Sequence, residues 1–176
     1  MKYFKKLEGE NVYLSPVNID DAEIYVKWLN NPNITQYLDS HNKLISLVGE
    51  KEFLETESTK EFMYAIIDKK TDKLLGNIGL HNPDYKNGTS SLGIFLGEEE
   101  TLGKGYGSEA IKLLLNFAFN DLRLHNIMLT VYDFNERAIK AYTKCGFKEF
   151  GRRHDARFHN GAYHDIIYME IINDKI

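Results

Sequence analysis

Three glycines at alternate positions, in Leu102-Gly103-Lys104-Gly105-Tyr106-Gly107-Ser108, stand directly before Glu109-Ala110-Ile111-Lys112-Leu113-Leu114-Leu115, a run of helix formers without a breaker. A strand-like run, Ser90 to Gly97, precedes this loop and helix, and another, Ile127 to Val131, follows them. That order restricts the segment to a strand, a glycine loop, a crossover helix and a parallel strand, a connection that is right-handed. Glycine lets the backbone come close to a ligand. The N–H groups and positive dipole end of the following helix favour an anion, most often a phosphate or pyrophosphate. A plain glycine-rich turn before a core helix is the blander account of the same residues.

Two nucleotide-loop patterns compete for these glycines. Gly105-x-Gly107-x-x-Ala110 fits the dinucleotide fingerprint formally, but Glu98 to Leu102 separates the glycines from the strand. The first acid at the end of the next strand, Asp133, comes late, and only one β-α-β unit is visible. The Walker pattern fails for want of a Gly-Lys-Ser/Thr triplet.

The next helix adds the second constraint. In Asn135-Glu136-Arg137-Ala138-Ile139-Lys140-Ala141-Tyr142-Thr143-Lys144-Cys145-Gly146-Phe147, Asn135 suits an N-cap, and Ala138, Ala141, Tyr142 and Cys145 share one helical face. Gly146 suits the left-handed residue after the helix end, with Phe147 packing back on the last turn. Gly103 to Gly107 followed by Asn135-x-x-Ala138-x-x-x-Tyr142-x-Lys144-x-Gly146-Phe147 resembles the GNAT superfamily of acetyl-CoA-dependent N-acetyltransferases. Leu102 stands where the family loop often carries Gln or Arg. Trp28-Leu29-Asn30-Asn31-Pro32 resembles the first helix of the branch that acetylates ribosomal-protein N-termini and polyamines, so the resemblance covers nearly the whole chain.

The resemblance implies an α/β fold in one domain, 1–176: a mixed, mostly antiparallel sheet with a central splayed parallel strand pair and flanking helices. It implies acetyl-CoA as co-substrate, with pantetheine along the backbone of Phe95, Leu96 and Gly97. The cofactor-binding loop is then Leu102, Gly103, Lys104, Gly105, Tyr106, Gly107 and Ser108, with Asn135, Ala138 and Lys144 on the later helix. Tyr142 matches the family's general acid for the departing thiolate. The Ser108 hydroxyl has two readings, a phosphate contact or help at the helix start. Similar proteins are commonly dimers, so a homodimer is also an expectation.

Length and composition set the remaining bounds. The 176 residues, 43% of them hydrophobic, suit one domain with a full core. A net charge of −4 with interspersed lysines and acids gives no basic footprint for nucleic acid. One cysteine and no long apolar span point to a chain without an internal disulfide or membrane partner, with the cytoplasm as its expected location.

Along the chain, Val12 to Val17 reads as a first strand ended by proline. Asp20 and Asp21 open a helix whose apolar stripe is Ala22, Tyr25, Trp28 and Leu29. A second helix is expected from Leu47 to Glu57 with Phe53 and Leu54 inward. Phe62–Ile67, Leu74–His81 and Ser90–Gly97 should form an antiparallel meander. Asn160-Gly161 predicts a closing hairpin from Lys148 to Ile172. In related enzymes this hairpin and the loop between the first two helices flank the acceptor, which makes His154 to Tyr163 and Asn31 to Asp39 the candidate substrate surface.

The implied chemistry is direct attack of an amine on the thioester in a ternary complex, with a backbone N–H of the Ser90 to Gly97 strand polarising the carbonyl. The acceptor is a small-molecule amine or a protein N-terminus. A primary alkylamine has a pKa of about 10, so a base or water chain must take its proton. Glu98, His81 and Asp133 are all candidates. Glu98-Glu99-Glu100 also reads as a solvated loop or as a carboxylate for a cationic amine. His154, His159 and His164 lack the spacing of a metal site, and Cys145 reads as a small core residue. A non-catalytic acetyl-CoA sensor and transfer of another acyl group are the alternatives to acetyl transfer.

Overall fold

Leu7–Glu8 (β1) pairs antiparallel with Val12–Pro16 (β2), and β2 pairs antiparallel with Met63–Asp68 (β3). The computed structural model describes residues 2–173. Three helices lie between β2 and β3: Ala22–Leu29 (α1), Pro32–Thr35 (α2) and Leu47–Ser58 (α3). Then follow Leu74–Asp84 (β4), Thr89–Leu96 (β5), Tyr106–Asn120 (α4), Asn126–Tyr132 (β6), Glu136–Lys144 (α5), Lys148–His159 (β7) and Ala162–Ile172 (β8). The strands form one eight-stranded sheet in the order β1-β2-β3-β4-β5-β6-β8-β7. Two compact units divide the chain, one running to Gly79 and resuming over Ile94–Leu113, the other comprising Leu80–Gly93 and the residues from Leu114 onward. Strands β4 and β5 and helix α4 contribute to both.

In the first unit, the Asn18 side chain accepts from the Asp20 N–H at 2.9 Å and starts a 3-10 turn, Ile19–Asp21, that runs into α1. Ala22, Tyr25 and Trp28 recur at helical spacing and are buried with Tyr3, Tyr13, Leu54 and Ile67 in one apolar cluster. Asp21, expected to serve the helix dipole, is instead fully buried. Its carboxylate accepts from the Tyr3 hydroxyl at 3.0 and 3.1 Å and meets the Lys2 ammonium at 2.5 Å. Ser46 caps α3 by accepting from the Gly49 N–H at 3.1 Å. One expectation for α3 fails: Leu54 is fully buried, but Phe53 is 48% exposed. Neighbours on a helix point roughly 100° apart, and the inward stripe is Glu50, Leu54 and Glu57, so Phe53 falls outside it.

In the second unit, β6 alternates buried Ile127, Leu129 and Val131 with less buried Met128 and Thr130. It pairs antiparallel with β8 from Asn126–Ile172 to Tyr132–Ile166. Its parallel ladder with β5 comprises Thr89–Asn126, Ser90–Ile127 and Ser91–Met128, while the two strands run on to Leu96 and Tyr132. This is the expected splayed pair. The β7–β8 hairpin closes through Asn160 and Gly161 at φ of 48° and 83°, the left-handed pair that a two-residue hairpin turn needs.

Candidate active site

The glycine loop belongs to the first unit. Beyond β5, the Thr101 N–H and hydroxyl both reach the Glu98 carbonyl, at 3.0 and 2.6 Å, and close a 3-10 turn. Gly103 and Gly105 then take φ of 79° and 88°, and the Gly105 carbonyl accepts the Glu109 N–H at 2.9 Å as α4 begins. A Cβ at either glycine would meet nothing within 4 Å, so the backbone is open on that side. Gly107 serves differently: it lies inside the first helical turn, and a Cβ there would come to 3.3 Å from Leu96 Cδ1. The helix thus claims Tyr106, Gly107 and Ser108 from the expected loop. Like any helix start, its first-turn N–H groups have no partner further back along the helix.

Two side chains of that turn hold α4 in place. The Glu109 carboxylate accepts from the Asn11 N–H at 2.8 Å, Asn11 Nδ2 at 3.0 Å and the Val12 N–H at 3.3 Å. Burial works against its charge, but these donors outweigh it and hold the carboxyl below the usual range. Tyr106 hydrogen-bonds Asp68, which raises the phenol's pKa. Lys104 and Leu102 lie on the exposed and half-exposed parts of the loop.

The end of β5 is fixed from α1. The Trp28 indole N–H donates to Glu98 Oε1 at 3.1 Å, and its ring meets Phe95 edge-on at 5.9 Å. A Cβ at Gly97 would fall 1.9 Å from the indole, so only glycine fits beneath it. The Gly97 N–H donates to the Leu75 carbonyl at 2.9 Å.

The second unit carries the other expected residues. Asn135 caps α5, its Oδ1 accepting from the Ala138 N–H at 3.2 Å. At the far end, the Phe147 N–H reaches the Tyr142 carbonyl at 3.1 Å and the Gly146 N–H reaches the Thr143 carbonyl at 3.0 Å, with Gly146 at φ 102°. This is a full Schellman closure, and Phe147 packs against Tyr142 with ring centroids 6.1 Å apart. Tyr142 is therefore oriented by the way its helix stops. Burial pushes its phenol up to about 12, with Cys145 adding to the rise and Arg137 opposing it. Ala138 is half-buried and Lys144 exposed.

The three candidate bases have different fates. Glu98 receives the indole. The His81 ring lies against Gly93, its Nε2 2.7 Å from where a Cβ would stand, and borders a cavity of about 400 Å³ with Ser90, Asn126 and Glu170. Asp133 accepts from His164 Nδ1 at 2.9 Å and from the Asp165 N–H at 3.0 Å. His164 was not singled out as a base in the sequence: it lies 31 residues from Asp133, and only the β6–β8 register joins them. His154 pairs with Asp165 at 3.1 Å and His159 stacks on Phe134 at 4.5 Å; among the described residues no three potential ligands gather around a metal position. Of the candidate substrate surface, Asn31 caps α2 and residues from His154 to Tyr163 lie in β7, its turn and β8.

An open mixed sheet with one parallel pair, the rest antiparallel, and flanking helices is the architecture of GNAT structures. Residues 11–148 match the acetyltransferase (GNAT) domain model, and the chain belongs to that family. It is 27% identical over 157 residues to the uncharacterized N-acetyltransferase p20 of Bacillus licheniformis, covering 85% of each chain. To the SPbeta prophage-derived uncharacterized N-acetyltransferase YokL of Bacillus subtilis (strain 168) it is 30% identical over 145 residues, covering 82% of this chain and 80% of that protein. The solved spermidine N-acetyltransferase from Vibrio cholerae, in complex with CoA and spermine, superposes with a TM-score of 0.82 at 26% identity, over 95% of this chain and 98% of that one. GNAT acetyltransferases use acetyl-CoA as donor.

Proposed function

We propose that this chain acetylates a cationic primary amine, a polyamine or a protein N-terminus, by direct attack on acetyl-CoA in a ternary complex. The observation that carries the reading is the start of α4: two left-handed glycines with open space where side chains would stand, directly before a helix N-terminus. That backbone suits a diphosphate, which would rest on Gly103 to Ser108. The solved spermidine N-acetyltransferase supports the amine class, and the Glu98 carboxylate at the end of β5 supplies a group that attracts a cation.

On β5 the Gly97 N–H is spent on Leu75, and alternation along an antiparallel strand turns the Leu96 N–H away from β4. Leu96 N–H is therefore the donor we assign to the thioester carbonyl. Tyr142 is assigned to the sulfur. With the phenol at about 12 it stays protonated at neutral pH, and full transfer to a thiolate with a pKa of about 8.5 is uphill by more than three units. The burial that raises the phenol also raises a departing thiolate, which narrows that gap. The proton moves late, as charge builds on sulfur.

Calorimetry with a Gly105→Val variant tests the loop. Holding a β-branched residue at φ 88° costs about 1–3 kcal/mol, and the side chain fills the open space, so acetyl-CoA affinity should fall at least tenfold. Unchanged affinity in the folded variant would remove the diphosphate from this loop. A turnover panel of polyamines, N-terminal peptides and amino sugars tests the acceptor, with polyamines and peptides expected to be consumed.

A further inference from the structure

Asp133 and His164 form a built pair that the tyrosine chemistry does not use. Asp133 immediately follows β6 and lies two residues before Asn135, the cap of the helix carrying Tyr142. His164 stands on β8, two residues beyond the Tyr132–Ile166 pair. Both carboxylate oxygens are engaged, one by His164 Nδ1 at 2.9 Å and the other by the Asp165 N–H at 3.0 Å, while the Asp133 N–H donates back to the Asp165 carbonyl at 3.1 Å. The imidazole is held on a second side by the edge of Phe134, at 4.8 Å between centroids. An ionised carboxylate only accepts, so Nδ1 carries the hydrogen and Nε2 keeps its lone pair. The pair is not sealed in the core: the side chains of His164 and Asp133 are 26% and 30% exposed.

We propose that His164, positioned by Asp133, is the general base that takes the proton of the acceptor amine; this deepens the acetyl-transfer reading and rests on it. The acceptor's ammonium first passes one proton to solvent through His164 Nε2, which frees the nitrogen's lone pair; that pair forms the new C–N bond at the thioester carbonyl carbon, and a second N–H proton goes to His164 Nε2. The C–S bond breaks with its electron pair on sulfur, which takes the proton of the Tyr142 phenol. Solvent then removes the imidazolium proton and returns one to the tyrosinate, so a cationic amine and acetyl-CoA give amide, CoA thiol and one proton released to solvent. Asp133 is a positioning residue: it fixes the tautomer and favours the imidazolium as it forms. Neither rival offers this geometry, since Glu98 Oε1 accepts the Trp28 indole N–H and the His81 ring lies against Gly93.

The test is the pH dependence of kcat/KM for the best amine of the panel, with acetyl-CoA affinity measured by calorimetry alongside. Charged and titrating groups near the ring are Asp133, Asp165, Arg157 opposite His164 in the hairpin, and His159 at 6.2 Å, so each enters the profile. His164→Gln should lower kcat/KM by about a hundred- to ten-thousand-fold and abolish the rise of rate through neutral pH, with acetyl-CoA affinity within about twofold of wild type. Added imidazole should restore part of the rate to His164→Ala. Asp133→Asn should lower kcat/KM by roughly ten- to a hundredfold with acetyl-CoA affinity unchanged, because an amide can turn its N–H toward Nδ1 and no longer fixes the tautomer. A wild-type rate and profile in His164→Gln overturns the proposal, as does a parallel loss of acetyl-CoA affinity. Should His164→Gln fail to fold, a wild-type kcat/KM in Asp133→Asn overturns it. Wild-type protein that consumes no amine of the panel overturns this proposal and the acetyl-transfer reading together, whereas turnover insensitive to His164 overturns this one alone.

Discussion

The carboxylates of the two units are used in opposite ways. In the first unit Asp21, Glu50 and Glu57 are buried, and Glu109 gathers backbone and side-chain donors from Asn11 and Val12. In the second, Asp133, Asp165 and Glu149 are partly exposed and face His164, His154 and Arg152. Asp21 takes the Tyr3 hydroxyl and the Lys2 ammonium, Glu109 takes the Asn11 and Val12 N–H groups, and Glu50 Oε1 has no partner, so changing the charge of these acids moves stability in one direction or the other. Acids against imidazoles at the surface can exchange protons with solvent while the strands beneath stay paired. Stability and proton chemistry are thus separable, and substitutions in each unit should move one and spare the other.

After His164→Gln, the largest effect belongs to Tyr142→Phe in the second unit, which keeps the ring on Phe147 and removes only the hydroxyl. Turnover should fall by roughly ten- to a thousand-fold with acetyl-CoA affinity nearly unchanged. Because burial holds the phenol at about 12, only about 1% is ionised at pH near 10, so the wild-type profile should show no alkaline fall from this group in the assay range. Wild-type turnover in Tyr142→Phe, on a chemistry-limited substrate, would reduce this tyrosine to a packing residue of the Schellman closure.

Glu50→Gln in the first unit should do the reverse. Burial pushes the Glu50 carboxyl up to about 7, and its Oε1 has no hydrogen-bond partner. Between the unfolded value of about 4.3 and the folded value of about 7, the native state keeps a proton that the unfolded chain has released. Wild-type stability therefore falls as pH rises through that window and is level above it. Glu50→Gln should be more stable than wild type by about 1–3 kcal/mol at pH 8 and similar to it near pH 4, measured by urea unfolding. An equal difference at both pH values would show that Glu50 is not the titrating group.

Local signals made the α5 half of the site legible: Asn135, Gly146 and Phe147 define both helix ends within one short run, and Tyr142 follows from the ends. The loop glycines were legible for the same reason, although the sequence placed the helix start later than Tyr106. Contacts between distant segments were not. Glu109 reads as an ordinary first-turn acid until β2 brings Asn11 to it, 98 residues away. The Asp133–His164 pair depends on a strand register that no periodicity specifies. Counting apolar residues on α3 put Phe53 inward because the inward stripe contains two acids, Glu50 and Glu57. A two-residue strand such as β1 carries too little pattern to be seen.

The smallest effect is expected from Glu149→Gln. Its carboxylate accepts from Arg152 Nε at 2.7 Å and from the outer guanidinium nitrogen at 3.1 Å, a two-pronged pair that lowers the carboxyl's pKa. By geometry alone it is a better ion pair than anything around Glu50. Yet the two side chains are 43% and 38% exposed, so water and salt screen the attraction and already solvate both charges in the unfolded chain. The depressed pKa means that the pair's contribution is present above the unfolded value and is lost as pH falls, so pH 7 is where any effect would show. At pH 7 and about 0.15 M salt the urea midpoint of Glu149→Gln should coincide with that of wild type. A shift as large as that of Glu50→Gln would mean that pairing, rather than burial, decides which acids of this chain govern its stability.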